Sequence, residues 1–266
     1  MFEPSTFFII YLALGLVVGL LAGLLGIGGG LIIVPALLYI FVEHLGMSLA
    51  TAMPMAIATS LSTIVLTGFS SAYAHFKLGH IQPPIVIWTA LGIAGGALIG
   101  PLIATSIAAQ QLKMIFAILV FAIAAQMIFM HPKTSDKQIS KPTLLVIGFV
   151  TGIVSAFMGI GGGALMVPAL VWYRINIKHA IGCAAFCGLV IAVFGSASFV
   201  VAGWSLHGLP QGAVGYVYLP AAIGIVITSV FTARVGAKIS HRLDTQKLKQ
   251  IFAGFLILVS LRMLLG

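Results

Sequence analysis

Three sets of residues in this 266-residue chain have types and spacing that could do chemistry. The first is a pair of glycine clusters. Gly26-Ile27-Gly28-Gly29-Gly30 leads into Leu31-Ile32-Ile33-Val34-Pro35, and Gly159-Ile160-Gly161-Gly162-Gly163 leads into Ala164-Leu165-Met166-Val167-Pro168. The copies lie 133 residues apart, half the length of the chain. Each interrupts a long apolar run that resumes directly after it. Glycine weakens a helix, reaches φ > 0 and lets a ligand approach the backbone closely. A new helix should therefore start after each cluster, and its N-terminus offers unpaired N–H groups and partial positive charge to an anion. Gly28, Gly29, Gly30, Gly161, Gly162 and Gly163 are the candidate contacts. Pro35 and Pro168 are candidate hinges that disturb the short helix again. A nucleotide phosphate loop is a poor rival, because no Gly-Lys-Ser/Thr follows either cluster.

The second set is a stripe of hydroxyls. Thr59, Ser62, Thr63, Thr67 and Ser70 recur at helical spacing, with Ser60 and Ser71 beside them. Hydroxyls in hydrocarbon often bond back to their own helix. So many on one arc also suit a polar pathway, with Thr59, Ser60 and Thr63 as hydrogen-bond donors to a substrate. The third set is Cys183 and Cys187. Aligning Ala56-Ile57-Ala58-Thr59 with Ala180-Ile181-Gly182-Cys183 sets Cys183 against Thr59 and Cys187 against Thr63. The other half of the site is then lined by thiols. Four residues apart, the cysteines share a helix face, which by itself makes neither a disulfide nor a metal site.

The four acids, Glu3, Glu43, Asp136 and Asp244, fall at the terminus, at segment ends or in loops. Cation carriers and carboxylate proton relays usually need an acid within a span, so the cargo reads as an anion. No Ser/His/Asp or Cys/His set is spaced for catalysis and no metal-ligand cluster stands out, so neither an enzyme nor a cofactor is expected. His75 and His80 read as surface histidines, and Trp88, Trp204, Tyr216 and Tyr218 as membrane-interface anchors.

The elements that must position these residues are transmembrane helices. The chain is 61% hydrophobic and 6% charged, with several apolar runs near the ~20 residues that span a bilayer. Its formal charge of +9 fits basic cytoplasmic loops rather than a nucleic-acid partner. Apolar segments are expected over 7–25, 31–42, 49–74, 85–105, 112–130, 143–158, 165–173, 180–202, 213–233 and 248–265. The polar stretch 131–142 separates a first membrane repeat, 1–130, from a second, 143–266. Leu112-Lys113-Met114-Ile115-Phe116-Ala117 echoes Leu248-Lys249-Gln250-Ile251-Phe252-Ala253, as a duplication requires. With both termini outside, eleven of the 13 lysines and arginines fall inside, and only Lys113 and Arg262 fall outside. In that orientation the first glycine hairpin enters from outside and the second from inside. The expected fold is thus an all-α integral membrane protein of two inverted-topology repeats, each a glycine-broken hairpin plus three helices, about 8–10 membrane helices in all.

The doubled motif from Gly26 to Pro35 and Gly159 to Pro168, the run Ala56-Ile57-Ala58-Thr59-Ser60 and the Leu-Lys-x-Ile-Phe echoes resemble the TauE/SafE family of sulfite-exporter-like permeases. The resemblance covers essentially the whole chain. It implies secondary transport of a small sulfur-containing oxyanion, such as sulfite, sulfoacetate or a related organosulfonate, usually outward across a bacterial inner membrane. The sequence differs from that family at Gly182-Cys183-Ala184-Ala185, where Thr-Ser is common. An anion channel, an uptake permease for sulfur compounds or organic acids using Cys183, and a sulfur-transfer protein are the rival readings. Expected partners are the anion and the lipid bilayer, with a homo-oligomer left open.

Overall fold

The computed structural model describes residues 4–25, 29–129, 139–240 and 245–265. Gly28 and residues 131–138 of the expected linker therefore lie outside the described residues. Long uncharged runs with few helix breakers fold as helices, since a backbone in hydrocarbon must satisfy its polar groups internally. They are α1 Pro4–Leu25, α3 Leu49–Lys77, α4 Pro83–Ser106, α5 Ala109–Phe129, α6 Lys141–Met158, α8 Ile177–Gly203, α9 Leu219–Ser240 and α10 Thr245–Leu265. Among the described residues seven helices are long and apolar enough to cross a membrane. Between them lie two ten-residue helices, α2 Gly30–Tyr39 and α7 Gly163–Trp172. Each reaches about 15 Å at 1.5 Å per residue, half a bilayer core. The chain is an all-α integral membrane protein.

Small residues set the packing. Gly92 lies against Leu145 and Phe149, Gly96 against Phe149 and Ile153, and Gly100 against Ile153 and Ala156, so α4 and α6 run side by side in the same direction. Gly15 lies against Ile225 and Thr228, and Gly19 against Ser229 and Thr232, so α1 and α9 do the same. A Cβ on these glycines would run into the backbone of the neighbouring helix, as expected of the small residues that let membrane helices approach. In the centre α3 and α8 run antiparallel: Leu61 meets Gly195, Gly68 meets Leu189, and His80, just past α3, meets Gly182.

These directions fix the layout. α3 ends, and α4, α6 and α8 begin, at one membrane face. α1, α3 and α9 begin at the other. The hairpin of α1 and α2 therefore enters and leaves by one face, and the hairpin of α6 and α7 by the opposite face.

One expected segment is displaced. Residues 213–218 are a tight hairpin, with Ala213 paired to Tyr218 and Val214 to Val217, and α9 starts only at Leu219. Gly212 (φ +86°) and Gly215 (φ +53°) take backbone conformations that break the helix, and a Cβ on Gly215 would strike the Val200 backbone. Tyr216 meets Phe199 edge-on at 6.2 Å, and Tyr218 meets Tyr11 at 6.2 Å and Phe41 at 5.6 Å. Both tyrosines are thus packing residues of the hairpin rather than interface anchors. Trp204 is 72% exposed just past the end of α8.

Candidate functional site

The second break is fully described. α6 ends in a left-handed cap at Gly159 (φ 68°, ψ 28°), with Ile160 N–H returning to the Ser155 carbonyl at 3.0 Å. A Cβ on Gly159 would lie 3.0 Å from the Ile57 carbonyl oxygen and 2.9 Å from Val34 Cγ2. The Ser60 hydroxyl donates to the Gly159 carbonyl at 2.7 Å. Among the described residues, the N–H groups of Gly161, Gly162 and Gly163 donate to no backbone carbonyl. Pairing resumes with Met166 N–H to the Gly162 carbonyl at 2.8 Å. The start of α7 thus presents a short row of donors inside the bundle. A Cβ on Gly162 would lie 3.3 Å from Gly188 N and 3.4 Å from the Ala184 oxygen on α8, whereas one on Gly161 would have only Ile64 Cγ2 at 3.8 Å.

The first break reaches the same place. Gly29 opens α2, its carbonyl accepting from Ile32 and Ile33 at 3.0 Å each. A Cβ on Gly30 would run into the Gly159 carbonyl and sit 2.8 Å from Ile160 Cα. The two glycine clusters, half the chain apart, are therefore in contact. Among the described glycines of the two clusters the left-handed one is Gly159, while Gly29 (φ −83°) and Gly162 (φ −63°) are right-handed. At those two positions the missing Cβ provides room rather than conformational freedom.

The side chains from α3 and α8 surround this junction. Thr59, Ser60, Thr63, Cys183 and Cys187 are all buried, and both thiols are free. The Thr59 hydroxyl accepts from Tyr218 N–H at 3.0 Å. Thr63 donates to the Ser60 carbonyl and Ser62 to the Thr59 carbonyl, both at 2.7 Å, and Thr67 donates to the Thr63 carbonyl at 3.1 Å. In this conformation the stripe mostly braces protein. Cys183 faces the backbone N–H of Gln82, and Cys187 Sγ lies 3.5 Å from the Thr89 hydroxyl. Gln82 directly precedes the Pro83 start of α4, and Tyr218 directly precedes Leu219-Pro220 at the start of α9. The correspondence of Thr59 with Cys183 is thus repeated in space: each side chain meets the amide just before its partner helix. The brace from Ser60 to Gly159, 99 residues away, has no local sequence signal. Among the described residues the buried hydroxyls of Tyr11 and Ser155 have no hydrogen-bond partner.

Cavities open at the flanks of the bundle among the described residues. One, about 340 Å³, lies beside α2 and is lined by Tyr39, Glu43, Lys113 and Arg262 among others, with the Arg262 guanidinium 5.1 Å from the centre of the Tyr39 ring. The two basic residues left on the far side by the loop count meet here. Another, about 320 Å³, is apolar and lined by Phe69, Tyr73, Phe76 and Phe186. Neither is lined by Gly161, Gly162, Thr59 or Cys183, so the junction stands closed to both. Glu43, the one acid among the described residues, is exposed at the face where α3 begins, well away from the glycines.

Apolar spanning helices, two broken segments that meet inside the bundle and buried polar side chains around them define a multi-pass membrane transporter. Residues 11–263 match the model of the sulfite exporter TauE/SafE family, and the chain belongs to that family. It is 39% identical to a probable membrane transporter protein of Haemophilus influenzae, over 98% of this chain and 99% of the relative. Probable membrane transporter proteins of Methanocaldococcus jannaschii (28%, covering 94% and 93%) and Bacillus subtilis (27%, covering 97% of each) are also similar. No solved structure matches the chain.

Proposed function

We propose that the protein is a secondary transporter for a small sulfur-containing oxyanion, such as sulfite, sulfoacetate or a related organosulfonate, carried outward across a bacterial inner membrane. The observation that carries this reading is the row of unpaired amides at Gly161 to Gly163, abutting the first break at Gly30. Helix N-terminal donors hold an anion without a buried Arg or Lys. The family's description supplies the sulfur chemistry. We read the two halves as inverted repeats that exchange access around this junction, with both termini outside. Gly28 to Gly30 contribute the second set of amides, Pro35 and Pro168 the hinges, and Thr59, Ser60, Thr63, Cys183 and Cys187 the walls. The closed junction favours such a carrier over an open channel.

The test is a thermal-shift series on purified protein with sulfite, sulfoacetate, thiosulfate, acetate and chloride. A ligand at a hundred times its Kd adds about 2.7 kcal/mol of stability. A sulfur oxyanion is expected to raise the melting temperature by several degrees while chloride and acetate do not. Equal shifts with every anion, or none with any, would sink the substrate reading.

A further inference from the structure

α3 does not simply stop at Lys77. Gly79 (φ +68°) turns the chain back, and His80 N–H closes on the His75 carbonyl at 3.0 Å. This folds the His80 imidazole onto that of His75, with their Nδ1 atoms 3.2 Å apart. The turn is also tied to the other half of the molecule. On α8, His179 Nδ1–H donates to the His80 carbonyl at 3.1 Å, and its ring meets the His80 ring edge-on at 6.3 Å. Gly182 packs on His80, and Gln82, two residues further, faces Cys183. The histidine pair thus sits where the ends of the two central helices are fastened together.

We infer that the His75–His80 pair is a proton-binding site that couples anion movement to proton movement. Two facing Nδ1 atoms need one proton between them: one ring donates and the other accepts. An added proton goes to the free Nε2 of the donor ring. The result is an imidazolium–imidazole pair, with a stronger, charge-assisted bond. A second added proton would leave two donors facing each other and part the rings. The pair therefore takes up one proton. The titratable and charged groups on the surrounding elements are Tyr73 and Lys77 on α3, Arg174 before α8, and Lys178, His179 and Cys183 on α8. Lys77 stands over the Tyr73 ring at 4.7 Å. Among the described residues these neighbours include no acid, and an anion arriving at this end of the bundle supplies the negative charge that favours the added proton. Anion and proton then load together, and both leave together.

This inference rests on the anion-transport reading, and the two fail differently. The protein is reconstituted in vesicles of E. coli polar lipid containing a pH dye, with the membrane potential clamped by potassium and valinomycin. Flux of ³⁵S-sulfoacetate and lumen pH are followed together. Expected is acidification of the lumen in step with sulfoacetate entry, and accumulation of sulfoacetate against its gradient when the outside is acid. His75→Gln/His80→Gln is expected to lose the acidification and at least tenfold of the accumulation, while exchange of internal for external sulfoacetate persists. His207→Gln, outside this cluster, serves as control. Sulfoacetate flux without lumen acidification in the parent overturns the coupling and leaves the transporter reading intact. Absence of any flux in the parent ends both. Loss of exchange together with accumulation in the double variant places the histidines in folding or anion passage and also overturns the coupling. Histidine ¹⁵N NMR of the parent gives an independent measure: two rings titrating separately, as free imidazoles do, exclude a shared proton.

Discussion

In the second break a hydroxyl of the first half does the holding: Ser60 on α3 donates to the Gly159 carbonyl. The matching position on α8 is Ala184, which has no hydroxyl to return the bond. The same contrast recurs one residue earlier. Thr59 gives the Tyr218 amide an oxygen acceptor, whereas Cys183 offers the Gln82 amide only a thiol, a weaker one. The glycine-proline motif recurs in the sequence but the braces do not. Helix α3 grips both the opposite break and the hairpin before α9, while α8 lies against the start of α7 mainly through Gly188 and Ala184. Among the described residues no hydrogen bond joins α7 to α8, whereas Ser60 bonds α3 to the Gly159 carbonyl, so α7 and α8 can part without breaking one. If the junction opens, α8 and α7 should part before α3 lets go of Gly159.

The glycines break this comparison most strongly. Gly159→Ala adds left-handed strain and drives a Cβ against the Ile57 carbonyl and Val34, a cost of roughly 2–4 kcal/mol. The expected result is little monodisperse protein and a melting temperature many degrees lower. Gly161→Ala, with open space around it, should cost less than ~1 kcal/mol. The symmetry of the sequence implies that Gly29→Val and Gly162→Val fail alike. The structure alters that expectation. A Cβ at 29 would overlap Cγ1 of the buried, β-branched Val18, whereas one at 162 has Ile191 Cδ1, Gly188 N and the Ala184 oxygen at 3.2–3.4 Å, so Gly29→Val should be the less stable. Equal melting curves for Gly159→Ala and Gly161→Ala would show that the left-handed cap does not define the break.

Removing the brace itself should cost less. Ser60→Ala leaves the buried Gly159 carbonyl without its hydroxyl donor, worth about 1–3 kcal/mol. The parent and Ser60→Ala are compared by unfolding in detergent and by anion exchange in vesicles. A stability loss with exchange retained would make Ser60 a brace. Intact stability with lost exchange would make it a substrate contact, and the asymmetry between α3 and α8 would lose its main support.

Much of this was legible in the sequence because it depends on local composition or on repetition. Apolar runs gave the helices, and the doubled glycines gave the breaks. In the alignment that sets Cys183 against Thr59, each side chain faces the amide just before the next helix. What lay hidden depends on contacts between distant segments. Nothing near Ser60 announces Gly159, and nothing in α4 announces that it runs beside α6. The hairpin at 213–218 was read as helix because Val214, Val217 and two tyrosines look apolar, and only the φ of Gly212 and Gly215 sets them apart. His75 and His80 read as surface residues because both lie near the ends of apolar segments. The Gly79 turn brings them together.

The finest test exchanges the two braces. Thr59→Cys puts a weaker acceptor under Tyr218 N–H, and Cys183→Thr puts an oxygen under Gln82 N–H. A neutral hydrogen bond is worth about 1 kcal/mol, so each change should move stability by less than that, downward for Thr59→Cys and upward for Cys183→Thr. Stability alone is then a weak reporter, and thiol access is the stronger one. Cys183 is fully buried in the closed junction, so a water-soluble maleimide reaches it only when α8 moves. In a Cys187→Ala background, labelling of Cys183 should be slow, should abolish transport, and should slow further with saturating sulfoacetate. In a Thr59→Cys variant with both native cysteines replaced by alanine, the same reagent should react more slowly still, because α3 holds its contacts. Equal rates at the two positions would mean that the halves open symmetrically, and the Ser60 bond to Gly159 would then carry no mechanical consequence.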